Sequence, residues 1–300
     1  MCGIVGIFCK SPALEERLGA LVGDMLVQMG DRGPDSAGVA IYRDPVGAGA
    51  SKLSLYASDA AVDWTAVTEL AAGAFGVSRS VEVTPRHIIL DVLAEPDDAQ
   101  AWAETLPGVT VMSTGRKIEI YKEAVEPAAF VQTFDLAGMA GSHAIGHTRM
   151  ATESKVTTAG SHPFSTGMDL CLVHNGSLSN HNRLRQELRR EGIGFKTEND
   201  SEVAAGYLTW RMREGATLEQ ALEGCLEDLD GFYTFAVGTA DGFAVLRDPI
   251  ACKPAVMAET DDYVAIASEY RALAELPDAA DATVWEPSPG VVYSWGAVPA

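Results

Sequence analysis

The first eight residues constrain the fold of this chain more than any other stretch. An apolar run, Gly3 to Phe8, begins directly after Cys2, and a short apolar run of this kind is typical of a buried strand. Removal of Met1 would give Cys2 both a thiol and a free α-amine. Because such groups have ordinary pKa values near ~8.5 and ~7.7–8.0, the amine can accept the proton of the thiol near neutral pH. The run therefore predicts either a rigidly held nucleophile or a strand that follows a cysteine by chance.

Composition excludes several classes of protein. The chain has 300 residues, of which 47% are apolar and 21% charged, as in ordinary globular proteins. We find no basic leader, and no apolar run approaches the roughly 18–20 residues of a membrane span. Five cysteines without paired spacing argue against a disulfide framework or a zinc site and suit a reducing cytoplasm. The net charge of −20 disfavours nucleic acid and anionic membranes as partners.

Outside residues 45–140 the chain reads as a mixture of helices and strands, and several polar turns follow apolar strands. We predict helices at 14–29, 180–191, 202–213 and 217–229, and strands at 3–8, 39–42, 170–173, 232–238, 242–247, 264–267 and 290–295. The segment 141–152 is predicted as a strand that ends in a polar turn. Asn175-Gly176 is a strong turn signal, and Asp200 or Ser201 is the expected N-cap of a helix.

Residues from about 45 to 140 form a separate stretch without a chemical motif. Helices are predicted at 64–77, 96–106 and 126–139, and strands at 87–93, 109–112 and 117–121. We interpret the stretch as an inserted α/β subdomain of βαββ order, used as a docking surface. His87 stands alone there and is predicted to be structural.

Five motifs in order resemble the glutaminase domain of the class II, N-terminal-nucleophile glutamine amidotransferases. They are CGIVGIF at 2–8, DRGPDSAG at 31–38, GHTRMAT at 146–152, HNG at 174–176 and ENDSE at 198–202. RDPIACKP at 247–254 and ASE at 267–269 resemble later motifs of the family. The resemblance implies an α+β fold, a four-layer αββα sandwich of two antiparallel sheets, spanning residues 2–295 around the insertion at about 45–140.

The resemblance also implies a role for each motif residue. Cys2 would attack the side-chain amide of glutamine, with Asn175 and the Gly176 N–H binding the oxyanion. Arg149 would hold the substrate carboxylate and Asp200 the substrate ammonium. The remaining candidates are Thr152, expected in the carboxylate pocket, and Arg32 and Gly33, expected on a loop beside the nucleophile.

Some positions depart from the family pattern or have a weaker claim to function. Met150 and Glu153 differ from many relatives, and Ala251-Cys252 stands where relatives usually carry a glycine and a hydrophobic or basic residue. Cys252 is predicted to pack rather than react. His162 resembles a histidine of the family's substrate loop, whereas the histidines at 143, 147 and 174 read as packing residues.

The chain shows no synthase domain, P-loop or dinucleotide fingerprint that could use ammonia. It resembles the small glutaminase-type subunits of glutamate-synthase-like complexes such as N-methylglutamate synthase. This implies a hetero-oligomer in which a separate synthase subunit accepts the ammonia and carries any flavin or iron–sulfur centre, with no cofactor or metal in this chain. Two alternatives stay open: a hydrolase with an N-terminal cysteine that acts on another amide, and a catalytically silent regulatory subunit.

Overall fold

The computed structural model describes residues 2–150 and 156–296, so Thr152 and Glu153 lie outside the described residues. The strands along these segments are β1 (Gly3–Cys9), β2 (Ser36–Tyr42), β3 (Ser51–Ala57), β4 (Val77–Thr84), β5 (His87–Val92), β6 (Val109–Gly115), β7 (Ile118–Glu123), β8 (His143–Arg149), β9 (Phe164–Gly167), β10 (Leu170–Leu178), β11 (Gly231–Thr239), β12 (Gly242–Arg247), β13 (Val256–Glu259), β14 (Tyr263–Ala267), β15 (Thr283–Trp285) and β16 (Val292–Gly296). The helices are α1 (Pro12–Glu15), α2 (Leu18–Gln28), α3 (Trp64–Ala74), α4 (Pro96–Ala103), α5 (Pro127–Thr133), α6 (His181–Arg190), α7 (Asp200–Arg213), α8 (Leu218–Asp228) and α9 (Tyr270–Leu273).

Two antiparallel sheets pack face to face. The first has the order β15-β13-β14-β1-β8-β2-β7, and the second has the order β16-β12-β11-β10-β9. Successive side chains of a strand point to opposite faces, and β1 shows this clearly. Ile4 joins the core between the two sheets, whereas Val5 and Ile7 join the core beneath the helices. The predicted buried first strand is therefore confirmed as a central strand, covered on both faces.

Helices cover the outer face of each sheet. The first sheet shares its outer core with α2, α5 and α9, and the second shares its outer core with α6, α7 and α8. The layers therefore run helix, sheet, sheet, helix, and the predicted αββα sandwich is confirmed. The predicted hairpin at 232–247 is present as β11 and β12.

The inserted stretch forms a third sheet of order β4-β5-β3-β6, with α3 and α4 packed on one face. Its element order is βαββαβ rather than the predicted βαββ, because β3 and β4 were not foreseen. The third sheet ends at Gly115. The next strand, β7, pairs with β2 at the edge of the first sheet, and α5 packs beneath that sheet.

Helix boundaries differ from the predictions for local reasons. The predicted helix 14–29 divides into α1 and α2, and the predicted helix 126–139 stops at Thr133 before Asp135, which has a left-handed backbone with φ 47°. The N-cap of α7 is Asn199 rather than Asp200 or Ser201, since the Asn199 side chain accepts from the Ser201 N–H at 2.9 Å. None of the helices in the described ranges combines the length and apolar character that crossing a bilayer requires.

Candidate active site

Cys2 lies at the start of β1, in the middle of the first sheet. The residue is half-buried, whereas Gly3 beside it is buried. The carbonyl oxygen of Cys2 accepts hydrogen bonds from Arg32 Nε at 3.0 Å and from Asn175 Nδ2 at 3.2 Å. The next strand residue is also fixed, because the Ile4 N–H donates to Ser268 Oγ at 2.9 Å. Three other segments thus hold the backbone around a half-buried cysteine.

The loop at 31–36 packs against both Cys2 and the end of β8. Arg32 is buried, and besides its bond to Cys2 it forms an ion pair with Glu269 at 2.6 Å. Gly33 contacts the backbone so closely that a Cβ there would clash with the main chain of Thr148 and Arg149. The Asp35 N–H then donates to the Arg149 carbonyl at 3.0 Å. Arg32 and Gly33 therefore fix the positions of two site residues, Cys2 and Arg149.

Asn175 and Gly176 lie within β10, so the prediction of a turn at these residues is wrong. They pair with Thr234 and Tyr233 of β11. Asn175 is 3% exposed, and its amide is directed at Cys2. A Cβ on Gly176, where φ is +155°, would clash with the Phe232 carbonyl oxygen. The strand therefore brings the side-chain amide of Asn175 to Cys2, and close packing against β11 requires glycine at the next position.

Arg149 is the last residue of β8 and is 9% exposed. Its guanidinium donates from Nη1 to the Gly160 carbonyl at 3.3 Å. Asn199 Nδ2 donates to the same carbonyl at 3.4 Å. The backbone around Gly160 thus connects Arg149 to the N-cap of α7. Thr152, expected in the same pocket, lies outside the described residues.

Asp200 is the first residue of α7 and contacts the end of β10. Its Oδ2 accepts from the Leu178 N–H at 2.9 Å, and its Oδ1 lies 3.9 Å from His174 Nδ1. The carboxylate therefore lies against the strand that carries Asn175 and Gly176. The structure links the Cys2, Arg32, Asn175, Arg149 and Asp200 motifs through short contacts, although they are far apart in sequence.

Three buried histidines, His147, His162 and His174, lie in the segments that carry these residues. The sequence did not predict that they form a cluster. The His147 and His162 rings stack with centroids 4.0 Å apart, and His147 Nε2 is 3.1 Å from the His174 carbonyl. Burial lowers the pKa of His147 to about 3 and also lowers the pKa of His162 and His174. These rings are therefore neutral at pH 7 and form an uncharged wall. Each histidine belongs to a polar segment noted in the sequence, but their mutual contact depends on the fold.

The two later motifs have structural contacts. Ser268 accepts from the Ile4 N–H, and Glu269 pairs with Arg32, so both residues hold neighbours of Cys2. In the other motif, Arg247 Nη2 donates to the Ala251 and Lys253 carbonyls at 2.7 and 3.1 Å. Ala251 has a left-handed backbone with φ 50°, a conformation that glycine adopts more readily. Cys252 is exposed, so the expectation that it packs is wrong.

The comparisons with known proteins agree on one family. Residues 147–275 match the family described as "Glutamine amidotransferase domain". A "Glutamine amidotransferase-like protein GlxB" of Rhizobium meliloti (strain 1021) is 56% identical over 98% of both chains. The chain belongs to the glutamine amidotransferase family. A "Putative glutamine amidotransferase" of Methanothermobacter thermautotrophicus is 33% identical over 97% of this chain and 98% of the relative.

Solved structures place this glutamine amidotransferase in the N-terminal-nucleophile fold of class II. The glutamine phosphoribosylpyrophosphate amidotransferase of B. subtilis superimposes with a TM-score of 0.62 at 22% identity, over 98% of this chain. The chain spans only 47% of that structure's length. At this identity the likeness shows the fold alone. Together with the family match, it establishes an enzyme of the class II glutamine amidotransferases.

Proposed function

We propose that the chain hydrolyses the side-chain amide of L-glutamine through a thioester on Cys2 and supplies the ammonia to a separate synthase subunit. The observation that carries this proposal is the carbonyl oxygen of Cys2, which binds both Arg32 and Asn175. These two bonds bring three sequence motifs together at one cysteine. The family match independently supports glutamine as the substrate.

The first step uses the two functional groups of a terminal Cys2. After removal of Met1, the α-amine takes the thiol proton, and the sulfur attacks the amide carbon of glutamine. The resulting oxyanion accepts hydrogen bonds from Asn175 Nδ2 and the Gly176 N–H. The ammonium formed on the α-amine then gives its proton to the departing nitrogen, which leaves as ammonia. Water hydrolyses the thioester, releases glutamate and restores the thiol.

The charged side chains of Arg149 and Asp200 suit the two charged ends of a free amino acid. Arg149 supplies a planar guanidinium for the substrate carboxylate, and the Asp200 carboxylate attracts the ammonium. Both residues are held by backbone contacts, Arg149 through Asp35 and Asp200 through Leu178. We assign Thr152 to the wall of the carboxylate pocket and Arg32 and Gly33 to the support of Cys2.

The test compares two accessible cysteines. Cys2→Ala should abolish both glutamate release and covalent labelling by diazo-oxo-norleucine. Cys252→Ala should leave both unchanged, because Cys252 is exposed in the turn after β12. Mass spectrometry of the purified chain should find Met1 removed. Retention of Met1, or labelling that persists in Cys2→Ala, would contradict the proposal. Labelling remains informative even when hydrolysis requires the partner subunit.

A second comparison tests the alternative substrates. N-acetylglutamine lacks the ammonium that Asp200 is assigned to bind, so its hydrolysis should be much slower than that of glutamine. A hydrolase for another amide would show no such preference. The silent regulatory subunit predicts that Cys2→Ala leaves the cellular role intact.

For the acceptor we propose a glutamate-synthase-like subunit, such as that of N-methylglutamate synthase, which would hold the flavin or iron–sulfur centre. The basis for this acceptor is the sequence resemblance to the small glutaminase-type subunits of such complexes. Purification of the tagged chain from its host should recover a second subunit with flavin absorbance. Recovery of the chain alone would contradict this assignment.

A further inference from the structure

A polar cleft of about 920 Å³ lies where the third sheet meets the edge of the first sheet. Its walls come from β3, β4 and β5 of the third sheet, from β7, and from the glycine-containing loop at 44–50. These walls do not include Cys2 or the residues assigned to glutamine. The cleft is therefore separate from the candidate active site.

Glu119 lies at the base of this cleft and is fully buried. Its Oε1 is 3.0 Å from Arg79 Nη1 and 3.2 Å from Lys52 Nζ, and its Oε2 is 3.1 Å from Arg43 Nη1. Burial alone would raise the pKa of Glu119, but Lys52 and then Arg43 outweigh it and lower the pKa to about 2. Glu119 is thus ionised and holds three cations around one carboxylate.

The two arginines line the cleft and keep hydrogen-bond donors from which no group in the described residues accepts. Arg43 and Arg79 have side chains that are 28% and 35% exposed, and both bind Glu119 through Nη1. Guanidinium groups bind carboxylates and phosphates through two parallel N–H donors. Two guanidiniums that contact the same buried carboxylate therefore form a site for an anion.

Asp91 contributes a negative charge beside the two arginines. It is 6% exposed, and its Oδ1 is buried without a hydrogen-bond partner among the described residues. Its other oxygen lies 3.6 Å from Arg79 Nη1. A buried acceptor without a donor is costly, so such atoms are nearly always paired with a ligand, water or protein group. Asp91 also lines the cleft, so an ammonium group of a ligand bound there would compensate its negative charge.

The charges at the base of the cleft indicate the net charge of a ligand that would fit there. Arg43, Lys52 and Arg79 contribute three positive charges, while Glu119 and Asp91 contribute two negative charges, which leaves one positive charge. Glu15, Glu16 and Asp44 line the rim, where water and salt screen their charges. Lys117, also in the wall, pairs with Asp241. A ligand of net charge −1 that also carries an ammonium group would balance the base.

We propose that this cleft is a binding site for an acidic α-amino acid, with a carboxylate on Arg43 and Arg79 and the ammonium on Asp91. A purely structural ion-pair network would join the two sheets equally well, but it would explain neither the open cleft nor the exposed side chains of Arg43 and Arg79. Because glutamate is the product of the proposed reaction, the site would let the enzyme sense its own product.

The binding test uses L-glutamate and the full chain carrying Arg149→Ala, so that the candidate active site does not contribute. Isothermal titration should detect saturable binding. Glutarate, which has the same carboxylates but no ammonium, and inorganic phosphate should each bind at least about tenfold more weakly. In the unsubstituted chain, glutamate should slow hydrogen exchange at 43–50 and 77–92. This exchange measurement depends neither on the Arg149 substitution nor on glutaminase activity.

Variants locate the site and separate it from the proposed function. Arg79→Gln and Asp91→Asn should each weaken glutamate binding at least about tenfold. Asp91→Asn should also remove the preference for glutamate over glutarate. Arg183→Gln is the control, because Arg183 lies on α6, away from the cleft, with a 70% exposed side chain that pairs with Glu187. Circular dichroism checks that each variant is folded.

Three results would overturn the proposed site: no saturable binding at millimolar glutamate, equal binding of phosphate or glutarate, or unchanged binding in Asp91→Asn. If instead Cys2→Ala retained activity while glutamate still bound in the cleft, only the proposed function would fail.

Discussion

The side-chain amide of Asn175 donates to the carbonyl oxygen of Cys2 at 3.2 Å. Asn175 belongs to β10 of the second sheet, and Cys2 directly precedes β1 of the first. The bond therefore crosses from one sheet to the other at the nucleophile. The alignment of the two sheets sets the distance between the thiol and the groups assigned to the oxyanion.

Asn175→Ala should lower kcat for glutamine hydrolysis by about 10²–10³-fold, with little change in KM, because it removes one oxyanion donor. Steady-state assays of glutamate release measure both constants. Asn182→Ala, an exposed position on α6, is the matched control. A kcat close to that of the unsubstituted chain would show that Asn175 does not bind the oxyanion.

Gly176→Ala should destabilise the fold as well as inactivate the enzyme. The added Cβ would clash with the Phe232 carbonyl oxygen and lie 2.7 Å from His174 Nε2. Overpacking of this kind typically costs about 1–3 kcal/mol, which urea unfolding can measure. Gly194→Ala is the control, because a Cβ there meets no atom within 4 Å. Equal stability of the two variants would refute the steric explanation.

Lys122 fixes the backbone that positions Arg149. Its Nζ donates to the carbonyl oxygens of Ser161 at 2.8 Å, Pro163 at 3.1 Å and Ala159 at 3.2 Å. Gly160, which accepts from Arg149, lies within this segment. Lys122→Met should therefore raise KM for glutamine about tenfold or more, as expected for loss of a charge-assisted contact to the substrate carboxylate. The change in kcat should be smaller.

The control for this kinetic prediction is Lys10→Met, which removes a surface lysine paired with Glu259. Its KM should match that of the unsubstituted chain. A Lys122→Met enzyme with a lower kcat but an unchanged KM would separate Lys122 from substrate positioning.

Local sequence was sufficient to predict the parts of the fold that depend on local patterns. The apolar run after Cys2 and the hairpin at 232–247 match β1 and the pair β11 and β12. The αββα sandwich was implied by the resemblance of the ordered motifs to a known family. His87, predicted to be structural, is buried and within hydrogen-bond distance of Thr84 and the Lys122 carbonyl.

Tertiary contacts decided the features that sequence missed. Asn175-Gly176 has strong turn propensity, yet pairing with β11 on one side extends the strand through both residues. The contact between His147 and His162 depends on how a loop folds back on β8. Glu119 reads as an ordinary polar residue of a strand. Its three cationic neighbours come from the third sheet (Lys52 and Arg79) and from the residue that follows β2 (Arg43), so only the fold brings them together.

The buried Lys122 also predicts how stability depends on pH. Burial lowers the pKa of Lys122 from its ordinary value of 10.5 to about 7, although Glu202 nearby acts to raise it and Lys196 to lower it further. Between these two values the unfolded chain binds a proton on this lysine that the folded chain does not. The free energy of unfolding should therefore rise with pH in this window, and below about pH 7 both states are protonated.

From about pH 7 to pH 9 this one lysine should add about 2 kcal/mol to the free energy of unfolding. Lys122→Met lacks the group, so its stability should rise by that much less over the same interval. Urea unfolding at the two pH values measures the difference, and Lys10→Met tests for a general effect of removing a positive charge. Equal increments in Lys122→Met and the unsubstituted chain would mean that Lys122 keeps its proton throughout. The ammonium, with its three donors, would then hold the 159–163 backbone unchanged across this range.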